Sequence, residues 1–392
     1  MTAANDGVLV LGILVLALDA ASVIRLLIVP RAAASVLALP TRWVRSVFRG
    51  LSQLARSYPG KDRILSISEP VALMVLLGTW LVTAVLGYGL VIWGLGGAGW
   101  SQAFLEAGSS VSTLGFAHGG SGGYQAVDFF AGATGMVLVA LQIAYLPTIY
   151  SAYNRRETFV TLLESRAGAP AWGPEILLRH QLVGTIGNLP ALYADWERWA
   201  ADVAESHTSY QSLMYLRSPR PQNSWVISLV AVMDSAAIAL AVDPDGAPIE
   251  ARMCLRMGFT CLRDIARVVN IPFDPDPNPD DPIQLPQEQF EAAYAHLREN
   301  GYLTPRPMDE AWNHFRGWRV NYEGVAYGLA TKLDAPPARW TGPRRTFRGE
   351  LLSPVRPVDR QPGGAPPKIF FPRLSSGSSA SPPGGTAPSR GR

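Results

Sequence analysis

From Ile64 to Asn154 the chain contains no lysine and no arginine, and its only acidic residues there are Glu69, Glu106 and Asp128. Soluble domains carry about 25% charged residues, spread along the chain. A cation-free stretch of this length argues for a bilayer. Residues 70–95 and 126–150 within it, and residues 7–29 before it, are three apolar runs long enough to cross a hydrocarbon core, which takes about 20 helical residues. Over all 392 residues only 17% are charged and 48% are hydrophobic, and the charges concentrate after Arg155. The distribution predicts a membrane domain followed by a water-soluble one.

The flanks predict orientation. Arg31, Arg42, Arg45, Arg49, Arg56, Lys61 and Arg63 lie between the first two runs, and Arg155 and Arg156 follow the third. Cationic segments stay cytoplasmic, so the linker and the C-terminal part are expected inside and the N-terminus outside, in a multi-pass protein of the cell membrane. Ala32-Ala33-Ala34 resembles a cleavage site, but Met1–Asp6 has no positive charge and the first run exceeds a signal h-region, which favours an uncleaved anchor. Asp19 within it is expected to face protein rather than lipid. In the linker, Leu39, Trp43, Val47, Leu51 and Leu54 recur at helical spacing among Arg42, Arg45, Arg49 and Arg56. This predicts a helix lying on the inner leaflet, with Arg42, Arg45 and Arg49 facing anionic lipid.

Between the second and third runs, Trp100 to Ser110 has the length of about three helical turns. Small hydroxylated residues, Ser109, Ser110 and Ser112, close it. Thr113-Leu114-Gly115-Phe116-Ala117 follows, then His118 and a glycine-rich return to Tyr124. Irregular backbone is tolerated at membrane depth only where it lines water or is buried in protein. In this setting Thr113-Leu114-Gly115-Phe116-Ala117 resembles the Thr-Val-Gly-Tyr-Gly filter of the potassium-channel family, a resemblance confined to about residues 68–154.

The resemblance implies roles. Thr113 would offer its hydroxyl, and Leu114, Gly115 and Phe116 their carbonyls, replacing the hydration shell of K⁺ or another monovalent cation. Phe116 would point away and brace the loop. Ser109, Ser110, Ser112 and His118 would support it. The second run would be an outer helix and the third an inner helix, with Gly132 and Gly135 as hinge candidates and Pro147 as a kink near a gate. One loop per chain and a ring of carbonyls imply a homotetramer. No cofactor beyond the permeating ion is implied. Two positions depart from the pattern. Ala117 replaces the closing glycine, where a left-handed backbone would cost alanine about 1 kcal/mol, and His118 replaces an acidic residue. Selectivity between K⁺ and Na⁺ is therefore left open. Gly132 and Gly135, beside Ala131 and Ala133, also fit close helix packing without any hinge.

After the third run, helices are expected over 157–165, 174–206, 225–241, 249–269, 287–300 and 309–333, forming an all-α cytoplasmic domain. Residues 225–242 are apolar enough to suggest a fourth span. That span would place Arg252, Arg256, Arg263 and Arg267 outside, so a buried helix with a partner for Asp234 is expected instead. Residues 274–282 read as a rigid acidic, proline-rich spacer. Cys254 and Cys261 suggest no disulfide framework. His118, His180, His207, His296 and His314 show no metal spacing, and no nucleophile signature points to an enzyme. Residues 335–392, with ten Lys/Arg against Glu350 and Asp359, are expected to be disordered.

The fold expected is thus an all-α membrane protein with three spans, a re-entrant pore helix and a filter-like loop, divided at 1–67, 68–154, 155–334 and 335–392. The function expected is passive cation conduction. The alternative is a non-conducting scaffold that presents the helical domain to partners.

Overall fold

Ser57, in extended backbone, accepts the Gly60 N–H and caps a helix with Pro59 in its first turn. Nothing stops that helix, α3 (Tyr58–Gly94), for 37 residues. At 1.5 Å per residue it is about 55 Å long, nearly twice a hydrocarbon core of about 30 Å. A computed structural model describes residues 3–27, 39–96, 99–120, 122–344 and 351–354, and these are helical apart from their connections and one isolated bridge. The Ala32-Ala33-Ala34 segment and residues 345–350 and 355–392 of the expected tail lie outside the described residues.

In chain order the first helices are α1 (Ala3–Leu27), α2 (Leu39–Ser52), α3, α4 (Trp100–Val111) and α5 (Gly122–Ala167). They are followed by α6 (Gly173–Leu182), α7 (Leu189–Ser209), α8 (Ser212–Tyr215), α9 (Trp225–Val242), α10 (Ile249–Val268), α11 (Gln287–Glu299), α12 (Met308–Arg319) and α13 (Glu323–Lys332). Four are long and apolar enough to cross a membrane: α1, α3, α5 and α9. The first three expose large apolar side chains, among them Leu14, Leu18, Val82, Leu86, Met136 and Ile143. Water-soluble monomers seldom expose that much apolar surface, so these helices suit a membrane-embedded protein. α9 differs, because all of its residues are buried against other helices. Asp234 within it pairs with Arg319 and accepts from Tyr322.

Several expected boundaries move. α5 runs unbroken for 46 residues through Pro147 and through Asn154, so 155 is no element boundary and 157–165 is no separate helix. Arg155 and Arg156 end the apolar run but contain nothing that breaks a helix. α3 likewise passes through the expected division at 67/68. The helix expected over 174–206 is two, separated at Gly184, whose φ is +68°, and by a 3₁₀ turn over Ile186–Asn188. The helix over 309–333 divides into α12 and α13. Residues 335–344 are packed rather than disordered: Trp340 stacks edge-on against Trp172 and sits beside Phe315, and the Arg344 guanidinium is buried on the carbonyls of Ala335, Pro336 and Thr341.

The lower parts of α3 and α5 are where the linker meets the C-terminal helices. Lys61 bonds Asp334 at 2.9 Å. Arg217 binds Asp62 and donates to the Tyr58 hydroxyl at 2.7 Å and the Leu333 carbonyl at 2.8 Å. Arg45 makes a forked pair with Glu69 at 2.7 and 2.8 Å and lies over the Tyr215 ring. This corrects one expected lipid ligand, because the Arg45 charge is taken up inside the chain. Arg49 is drawn toward Asp334 at 3.8 Å, and Arg42 stays exposed. α2 does present Leu39, Trp43, Val47 and Leu51 outward.

Arg156 fastens α5 to the same region. Fully buried, it donates to Leu213 O at 2.6 Å and Leu216 O at 2.7 Å, pairs with Glu157, and reaches His207 Nε2 at 3.0 Å. Burial, and then the neighbouring Arg156 charge, hold the His207 imidazole well below the usual 6.5. A base whose folded pKa is depressed binds its proton more readily when unfolded. Stability is therefore complete above about pH 6.5 and lost as pH falls below it. The melting temperature of the solubilised chain is expected to drop between pH 7 and pH 5.5. His207→Gln, which keeps an acceptor for Arg156 but does not titrate, is expected to flatten part of that dependence. Part will remain, since burial also lowers the His180 pKa. An unchanged slope in the variant would remove His207 as the cause.

Candidate functional site

The site is built where α4 ends. Ala103 and Ala107 are small enough to let α4 lie on α3 beside Ile92. Val111, at the other end of α4, packs with Leu76, Leu77, Trp80 and Ala84 of α3 and Leu138 of α5. α4 thus runs back along α3, and Trp80 is about 21 Å along the helix axis from Gly94 at 1.5 Å per residue. Gly135 makes the arrangement possible. A Cβ there would sit 1.8 Å from Val111 O, a backbone atom with no freedom to withdraw. Gly132 is looser, at 3.4 Å from Ser110 O. Both glycines sit in continuous α5 and receive the end of α4, which is the close-packing explanation of their presence.

The loop after α4 turns its donors inward. Thr113 N–H bonds Ser110 O at 2.9 Å, Leu114 N–H and Gly115 N–H bond Ser109 O at 2.9 and 3.3 Å, and Ala117 N–H bonds the buried Ser109 hydroxyl at 3.0 Å. φ is positive at alternate residues, +58° at Thr113 and +69° at Gly115. A β-branched residue there is a true outlier, of a kind that costs about 1–3 kcal/mol and gathers at functional sites. Among the described residues no donor reaches the carbonyls of 113–117. Those oxygens also lie at the carboxyl end of α4, where the helix dipole favours a cation.

Ser110 and Ser112 differ in role. Ser110 Oγ donates to Asp128 Oδ1 at 2.8 Å, tying α4 to α5, whereas Ser112 Oγ bonds back to Gly108 O. Asp128 Oδ2 also accepts from Gly119 N–H at 3.1 Å, holding the return of the loop. Glu106 is buried beside Gly119, and among the described residues its Oε1 has no partner. Glu106 and Asp128 were not among the residues expected to form the site. Their signal in the sequence was scarcity, as two of only three acids in the cation-free stretch. His118 is exposed.

Two expectations change. Ala117 is not left-handed, so the cost foreseen for alanine falls instead on Thr113. Phe116 does not brace the loop within the chain: it is 64% exposed and Leu114 69%. Pro147 lies far from this loop, in a helix that continues through it. Among the described residues no three His, Cys, Asp or Glu side chains gather as a metal site.

No protein-family model matches the chain, and no curated protein or solved structure is similar to it.

The loop offers a short row of carbonyl oxygens unclaimed among the described residues, held from behind by Ser109 and Asp128, between two helices long enough to span a bilayer.

Proposed function

We propose that this chain is the pore-forming subunit of a channel for monovalent cations, with α4 and residues 113–117 re-entering the bilayer between α3 and α5. One observation carries the reading. The N–H groups of residues 113, 114, 115 and 117 are spent on α4, while their carbonyls find no donor among the described residues. In a water-free core an unpaired polar group costs several kcal/mol, and a dehydrated cation is the partner that carbonyls alone can satisfy. Val111 shares one apolar cluster with Leu76, Leu77, Trp80 and Ala84 of α3, which supports a depth of at least about half of a core of about 30 Å.

One loop cannot surround an ion. Several copies about an axis, four by the resemblance, would complete the ring and cover the exposed Leu114 and Phe116. The ion pairs from Lys61 to Asp334 and from Asp62 to Arg217 support one sidedness. They require the linker and the C-terminal helices to share a face, which two spans between them satisfy, and the cationic flanks favour the cytoplasm.

The test is flux from liposomes carrying the purified chain under K⁺ or Na⁺ gradients. Wild type is expected to pass cations. Gly115→Asp, which puts a side chain and a charge on a residue at φ +69°, is expected to reduce flux to background. Flux equal in both proteins would overturn the pore assignment. Absence of flux in wild type under every gradient would turn attention to the scaffold alternative.

A further inference from the structure

Where α3 and α5 pass from apolar to charged sequence, a cleft of about 470 Å³ opens between them and the segment after Leu216. Its size is that of a small-ligand pocket, about 300–1,000 Å³. On α3 it extends from Pro59 to Pro70, and so straddles Arg63, the last cation before the apolar run. On α5 it is faced by Tyr150 and Tyr153, one turn before Arg155. Aromatic side chains at such positions mark the headgroup level of a bilayer.

The charges around the cleft can be accounted for. Asp62 is taken by Arg217, and Arg217 is further committed to Tyr58, Leu333 O and Asp334 O. The Tyr153 hydroxyl donates to Arg217 O. Two groups are left over. Arg63 is exposed, and among the described residues its guanidinium meets no acceptor. Ser218 is only 5% exposed, yet among the described residues its hydroxyl has no partner. A buried hydroxyl left unpaired costs about 1–3 kcal/mol, so a ligand that accepts from it is favoured. The cleft therefore presents a net positive lining, a forked donor, an orphan hydroxyl, and walls of proline and tyrosine.

We propose that this cleft binds the phosphate headgroup of an anionic lipid, with Arg63 forking onto the phosphate oxygens, Ser218, whose hydroxyl is covered, turning about its Cα–Cβ bond to donate to one of them, and the acyl chains running up between α3 and α5. Guanidinium geometry matches phosphate bidentately. The inner leaflet supplies anionic lipid, and the proline and tyrosine walls suit the glycerol and upper acyl carbons better than a free anion. The proposal rests on α3 and α5 spanning the membrane, and not on ion conduction.

The test titrates the detergent-solubilised full chain with dioctanoyl phosphatidic acid, with dioctanoylglycerol and with inorganic phosphate, reading binding by native mass spectrometry. Phosphatidic acid is expected to bind saturably and the other two weakly. Arg63→Gln is expected to weaken it about tenfold, as loss of a charged hydrogen bond does. Arg63→Lys, which keeps charge but loses the fork, and Ser218→Ala are expected to lie between. Arg256→Gln, an exposed cation on α10 outside the cleft, is expected to change nothing. Equal losses in Arg63→Gln and Arg256→Gln would reduce the effect to surface charge and overturn the site. Inorganic phosphate binding as well as the lipid, or dioctanoylglycerol binding as well, would each overturn the headgroup assignment. The lipid-free melting temperature of each variant checks the fold separately.

Discussion

Arg156→Ala is expected to cost about 3–5 kcal/mol, the range for removing one partner of a buried ionic cluster. The guanidinium satisfies two buried carbonyls, Leu213 O and Leu216 O, and it neutralises Glu157. Truncation strands all three and leaves a void between Tyr153 and Trp225. In a domain of 150–250 residues this corresponds to a fall in melting temperature on the order of ten degrees. Tryptophan fluorescence reads it directly, since Trp225 lies against the cluster and Trp199 donates to Arg156 O. Arg156→Lys is expected to recover little, because one ammonium cannot span two carbonyls and a carboxylate in the same fork. A shift of a degree or less in Arg156→Ala would show that the cluster holds nothing together.

Gly135→Ala is expected to abolish flux while the protein still inserts and assembles. The added Cβ would lie 1.8 Å from Val111 O and 3.1 Å from Val111 Cα, both backbone atoms. Relief requires the end of α4, and the loop it carries, to move by about 1 Å or more, at the upper end of the 1–3 kcal/mol typical of overpacking. Gly132→Ala is the control. Its Cβ would meet Ser110 O at 3.4 Å, a contact that a few tenths of an ångström relieve. A hinge role for both glycines would make the two variants behave alike, and a packing role makes them differ. Retained flux in Gly135→Ala would contradict the packing argument.

The membrane character of the chain was legible because it depends on composition, and composition is local. The missing cations from Ile64 to Asn154 announced α3 and α5, and the Trp100–Ser110 segment announced α4. The lengths of α3 and α5 were not legible. Charge ends a span, but only a breaker or a competing cap ends a helix, and Asn154-Arg155-Arg156 has neither. The break before α7 had visible signals in Gly184 and Pro190. The one between α12 and α13 had only Asn321, a weaker stop than glycine or proline, and the Tyr322 hydroxyl is held by Asp234, 88 residues away in sequence. Long-range partners also explain residues 335–344, whose proline-rich composition hides the fact that Trp340 has an aromatic slot waiting for it. At the loop, residue types were readable but backbone hand was not. The left-handed strain fell on Thr113 because Ser109 and Ser110, by accepting the N–H groups, decide how the chain turns.

The Lys61–Asp334 bond joins residues 273 apart. A ribosome adding roughly 5–20 residues per second needs about 15–55 s to make the second partner after the first. For most of that interval α3 is already available for insertion, while the foot of the helix carries a lysine destined for burial whose Asp334 partner is not yet made. Newly synthesised chains must therefore pass through a stage in which the bilayer part stands complete and its base is still solvated. Chains that end before Asp334 would remain at that stage, inserted but unlocked, as natural substrates for quality-control proteolysis.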